Sequence, residues 1–132
     1  MRSERVESIE FSIMGNPVTK KNHSQVIMRG KYPMVVPSKA YQKFEKNCNG
    51  QIPRLEINEP CNIKAIYYMA TRRKVDITNL HSALHDVLVK YGCIADDNCH
   101  IVVATDGSRI AYDKENPRIE VTIEFGYEDP FI

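Results

Sequence analysis

The chain has 132 residues, 42% of them hydrophobic and 27% charged, which suits one globular domain with a real core and excludes a disordered chain. No apolar run approaches the roughly 20 residues that cross a bilayer, and the opening MRSERVES is too charged for a signal peptide. The expectation is a single domain over residues 1–132, cytoplasmic and without a membrane partner. The net charge of +1 conceals a split, because residues 1–74 carry 14 Lys and Arg against 6 acids while residues 75–132 carry 4 against 11. A polyanion-binding surface beside an acidic site has this signature, and so does a fold that interleaves the two halves into a mixed surface.

Taken in order, Val6 to Met14 alternates, with Ile9, Phe11 and Ile13 on one face, and reads as a half-buried strand. Gly15-Asn16-Pro17 ends it and opens a loop with Lys20, Lys21 and His23. Such a loop either places ammonium groups on phosphates or is simply solvated. Val26–Met28 and Tyr32–Val36 flank Arg29-Gly30-Lys31 as a hairpin with a basic turn. Pro37-Ser38 starts a helix with Ser38 as N-cap, an apolar stripe of Tyr41, Phe44 and Cys48, and Lys39, Lys43 and Lys46 on its polar side. Pro53–Pro60 reads as a polar connector. Asn62–Ala70 reads as a central strand, apolar on both sides towards its end, and it delivers the chain to Arg72, Arg73 and Lys74.

The strongest pattern follows. Leu80, Ala83, Leu84, Val87, Leu88 and Tyr91 recur at helical spacing, Thr78 or Asp76 caps the start, and Gly92 stands past the end. Asn79, Ser82, Asp86 and Lys90 form a neighbouring polar stripe. Short strands are expected at Ile101–Ala104 and Arg109–Tyr112 around an Asp106-Gly107 turn, and Ile119, Val121, Ile123 and Phe125 alternate in a final strand. The layout is α/β or α+β.

Asp76 at the end of a strand, Asp86 on the long helix and Asp96-Asp97 after it are the candidate catalytic carboxylates. If the chain turns back after the helix, Asp96 or Asp97 returns towards Asp76. Two carboxylates about 4 Å apart repel by roughly 4 kcal/mol at an effective dielectric near 20, so such a site wants protons or a hard cation. Mg²⁺, with oxygen ligands and retained waters, is the natural occupant, and it would serve phosphodiester hydrolysis. A plain helix cap and a plain turn account for the same acids. His81 and His85 at i and i+4, with Cys99-His100 beyond, sketch a zinc site without paired Cys ligands. Cys93 and Cys99 show no spacing that demands a nucleophilic Cys. With no CxxC pair and no secretory context, all four cysteines are expected to be reduced thiols.

The stretch from Arg72 through Asp76, Thr78, Asn79, Ser82 and Asp86 to Asp96-Asp97, with GNPVTKKN and PSKAYQKFE upstream, resembles the RusA family of Holliday junction resolvases of bacteria and their prophages. The family pattern is a basic lead-in, DxDN, a lysine three residues after the Asn, a further Asp and a DD pair. The resemblance covers residues 9 to 125. It implies a mixed sheet with two main helices, a homodimer, four-way junction DNA as partner, and Mg²⁺ (with Mn²⁺ as substitute) as cofactor. It further implies Asp76 and Asp97 as principal metal ligands, Asp96 or Asp86 assisting, and Thr78 as a weak ligand. Lys20, Lys21, Arg72, Arg73, Lys74 and Arg109 would contact DNA. Thr78 stands where the family has its second Asp, and Ser82 where it has its lysine. Arg109, Lys114 or Arg118 would supply a replacement cation, and Asp106 or Asp113 a replacement acid. A binding-only protein of the same fold and a phosphodiesterase for small substrates are the rival readings.

Overall fold

The computed structural model describes residues 7–20 and 25–132. The elements in chain order are β1 (Ser8–Met14), β2 (Gln25–Arg29), β3 (Tyr32–Val36), α1 (Lys39–Asn47), β4 (Cys61–Met69), α2 (Ile77–Lys90), β5 (Val102–Ala104), β6 (Arg109–Tyr112) and β7 (Arg118–Glu124). The main sheet runs β1-β7-β4-β5, with β6 also on β4, and β2–β3 make a two-stranded sheet of their own. β7 is antiparallel to both β1 and β4, whereas β5 and β6 are parallel to β4, so the sheet is mixed, as expected.

Register explains the core. Ile9, Phe11 and Ile13 of β1 face Ile123, Val121 and Ile119 of β7, which in turn face Ile63, Ala65 and Tyr67 of β4. These rows meet Tyr41 and Phe44 of α1 and Leu80, Ala83, Leu84, Val87 and Leu88 of α2 in one cluster. The helices therefore cover one sheet face, and the other carries the polar residues that alternate with these rows. Ser38 caps α1 as its sequence suggests, its Oγ accepting from the Tyr41 amide at 3.1 Å.

Two details depart from the sequence reading. The connector 53–60 is not simply polar, because Ile57 is buried and bridges Ile94, and the Leu55 and Glu56 amides donate to the Gly92 carbonyl. The end of α2 is thereby clamped to the chain entering β4. Gly92 has φ 76°, and a Cβ there would meet Arg54 Nη1 at 2.6 Å and Glu56 Oε1 at 2.8 Å, so glycine serves both the turn and the clamp. Asn62, fully buried, donates to the Asp106 carbonyl and to Glu124 and accepts from the Asp106 amide at 2.7 Å. This side chain fixes the turn that lets β5 and β6 share one edge of β4.

Candidate active site

β4 ends at Met69, so Asp76 stands not at a strand end but at the N-cap of α2, after a connector over 70–75. The Asn16 side chain of the Gly-Asn-Pro loop accepts from the Ala70 amide at 2.9 Å and ties that loop to the connector. The Asp76 carboxylate makes no capping bond, and Asn79 Nδ2 lies 3.4 Å from its Oδ2. Thr78, in the first turn, is exposed and does not cap. An acid at a helix N-terminus is favoured by the helix dipole, and this one engages Asn79 through a long bond rather than capping the helix.

Asp86 lies ten residues along the same helix, about 15 Å down its axis at 1.5 Å per residue. That separation is too great for Asp76 and Asp86 to ligate one ion. Asp86 instead accepts from Lys20 Nζ at 2.8 Å, which brings the loop after β1 onto α2 one turn beyond Ser82. The same ammonium sits 5.8 Å from the centroid of the Tyr41 ring.

After α2, Asp96 and Asp97 form a tight local structure. Asp96 Oδ1 accepts from the Asp97 amide at 2.8 Å and Oδ2 from Asn98 Nδ2 at 3.0 Å, and these bonds hold its carboxyl below the usual range. Asp97 is pushed the other way, by partial burial first, then by the charge of Asp96 and, more weakly, that of Asp86. Asp97 therefore belongs electrostatically with Asp96 and Asp86. Among the described residues no three His, Cys, Asp or Glu gather as a metal-holding group. One or two carboxylates, with waters and substrate phosphate oxygens, still suffice for Mg²⁺, and exposed Asp76 and Asp97 fit that mode.

The cations fall into separate places. Arg72 lies over the Tyr112 ring, 4.4 Å from its centroid, while Arg73 and Lys74 are exposed beside it on the connector. Arg109 is exposed on β6, in register with Ile66, on the sheet face away from the helices and their acids. Arg118 pairs with Asp113 at 3.0 Å and Glu120 at 2.9 Å and lies over the Tyr68 ring, so these two candidate replacements engage each other. Asp106 and Lys114 are exposed. Lys21 lies outside the described residues.

The two α2 histidines are not idle surface groups. Tyr67 Oη and His81 Nδ1 share a 2.6 Å hydrogen bond, and the His81 and His85 rings stack at 5.8 Å. Burial lowers both; for His85 the neighbouring His81 adds to it, and its pKa falls to about 4. Buried His85 Nε2 and Tyr41 Oη have no hydrogen-bond partner among the described residues. The i, i+4 spacing showed that the histidines share a face but not that the face is inward, and nothing in the sequence singles out Tyr41. Cys48, Cys61 and Cys93 are buried, with burial the main cause that pushes their thiols up to about 12, 11 and 12, which leaves exposed Cys99 as the accessible thiol. His100, a member of the rival zinc sketch, pairs with Asp129 at 2.7 Å.

The family model for endodeoxyribonuclease RusA matches residues 14–124, from the last residue of β1 to the last residue of β7. The chain belongs to the RusA family. Membership makes it an endodeoxyribonuclease of the kind that resolves Holliday junctions. The RusA match takes in Asp76, Asp86, Asp96, Asp97 and Lys20, and extends over the β2–β3 hairpin. No curated protein matches the chain. No helix among the described residues of this RusA chain is long and apolar enough to cross a membrane.

Proposed function

We propose that the chain is a Mg²⁺-dependent, structure-selective endonuclease that resolves Holliday junctions as a homodimer in the cytoplasm, in DNA recombination and repair. The observation that carries this reading is Asp97, held above the usual carboxylate range by burial and by the charges of Asp96 and Asp86, in a chain of the RusA family. A carboxylate among like charges gains from a cation, and Mn²⁺ would substitute for Mg²⁺.

Asp97 and Asp76 are the carboxylates assigned to hold metal, with Thr78 as a weak hydroxyl ligand beside Asp76. When bound, Mg²⁺ supplies an activated water and charge stabilisation at a phosphodiester. Asp96 acts on Asp97 through its charge and by shaping the turn, since both of its oxygens already accept hydrogen bonds within that turn. Lys20, held by Asp86, supplies a cation one turn from Ser82, where the family carries its lysine. Arg72, Arg73 and Lys74, on the connector leading to Asp76, would grip the phosphate backbone and set its register without reading bases. A two-fold dimer would present paired sites to a symmetric four-way junction.

The test is cleavage of a synthetic four-way junction with Mg²⁺ by wild type, Asp76→Asn and Asp97→Asn. Wild type should cut and both variants should lose at least a hundredfold in rate, and equal cutting by all three would sink the assignment. A binding-only protein is the second reading, favoured by the hydroxyls of Thr78 and Ser82 in place of a carboxylate and an ammonium. Salt-sensitive junction binding without cleavage under either metal would establish it.

A further inference from the structure

Outside the acidic site, the least explained feature is the β2–β3 hairpin. It shares no strand pairing with the main sheet. An isolated hairpin is marginally stable in water, and its apolar side chains normally find cover. Here Val26 is 69% exposed, Met28 64%, Tyr32 76% and Val35 73%. At the tip, no described residue has an atom within 4 Å of a Cβ built on Gly30.

Pairing defines what the tip displays. Arg29 is opposite Tyr32, so an aromatic ring and a guanidinium share one side, and Met28 is opposite Pro33 on the other. Charge narrows the choice of partner. Between Glu10 and Glu45 the sequence holds six Lys and Arg and no acid. A second copy laid hairpin on hairpin would bring Arg29 and Lys31 against themselves, whereas a polyanion would be matched by them. Basic elements that insert apolar side chains between base steps use this combination.

We propose that the β2–β3 hairpin is a wedge that places Tyr32 and Met28 against unstacked bases at a DNA branch point while Arg29 and Lys31 hold the flanking phosphates. This rests on the junction-nuclease reading above and adds a source of selectivity to it. A continuous duplex offers phosphates to the cations but no open base face to the apolar side chains. The wedge therefore discriminates by stacking and the cations do not.

The experiment measures binding of the full chain to a four-way junction and to a linear duplex of the same arms, at one salt concentration. A fluorescent adenine analogue at the branch point reports unstacking. Tyr32→Ala should weaken junction binding by about tenfold, in the range of base–aromatic stacking, Met28→Ala should weaken it in the same direction, and both should abolish the fluorescence rise, with duplex binding unchanged. Arg29→Ala should weaken both DNAs alike. Tyr32→Ala and Met28→Ala proteins that bind and unstack the junction like wild type would overturn the wedge while leaving the nuclease reading intact. Wild-type protein that prefers neither DNA would overturn both. A wild-type dimer that becomes monomeric on Tyr32→Ala would reassign the hairpin to a subunit interface and overturn the wedge. All the substituted side chains are exposed, and an unchanged melting temperature checks the fold.

Discussion

Replacing His85 by Phe should remove a measurable part of the acid sensitivity of this fold. His85 is half-buried on α2, stacked on His81, with an unpartnered Nε2 and a pKa lowered from 6.5 to about 4. In the folded chain it stays neutral down to about pH 4, while in the unfolded chain it takes up a proton below about pH 6.5. The unfolded state thus binds more protons in this window, so stability is fully present above pH 6.5 and is lost as pH falls towards 4. Integrated from pH 7 to pH 5, the loss attributable to His85 is about 2 kcal/mol. His81, lowered by burial, adds in the same direction. Carboxylates with depressed pKa values, Asp96, Asp113 and Asp129, titrate below the window. Urea unfolding of wild type and His85→Phe at both pH values gives the comparison. The variant should lose about 2 kcal/mol less than wild type between pH 7 and pH 5. An equal loss in both proteins would refute the buried, neutral state of His85.

Other expectations are direct. Leu84→Ala, at a site with no solvent exposure, should cost about 2–5 kcal/mol of stability by denaturant unfolding, since it empties the contact between α2 and the sheet. A thiol reagent should modify Cys99 alone in the native protein and all four cysteines in denaturant; rapid native labelling of Cys48, Cys61 or Cys93 would contradict their burial. Lys20→Ala should cost under about 1 kcal/mol in stability, because the pair with Asp86 is partly exposed, yet should weaken junction binding and flatten its salt dependence. A loss of several kcal/mol there would mean that the ion pair is structural.

Sequence periodicity located the elements because burial in this fold is one-sided. Ile9, Phe11 and Ile13 alternate since β1 faces helices on one side only, and α2 shows its stripe since it lies flat on the sheet. The acids were legible as residue types, but their grouping was not. Nothing local tells that Asp97 feels the charge of Asp86 as well as that of Asp96, because that depends on the path of the chain after Gly92 and on the Ile57–Ile94 bridge. The same holds for Lys20, whose partner is 66 residues away. Asn62 gave no signal at all, since a buried amide in an apolar strand looks like an ordinary polar alternation until its partners at the Asp106 turn are known.

The placement of β7 has a consequence for how this chain reaches its fold. The last strand to be synthesised lies between the first and the fourth, so β1 and β4 have no contact in the sheet until residues 118–124 are available. Until then two apolar strand edges stand open, and the pairings that close them are long-range, from Ser8 with Glu124 on β1 to Tyr68 with Arg118 on β4. Such long-range pairings are slow to form and leave intermediates prone to association. A nascent chain released before Arg118 would hold all four acids of the site and both helices, with β5 and β6 as the partners of β4 and nothing to join β1 to them.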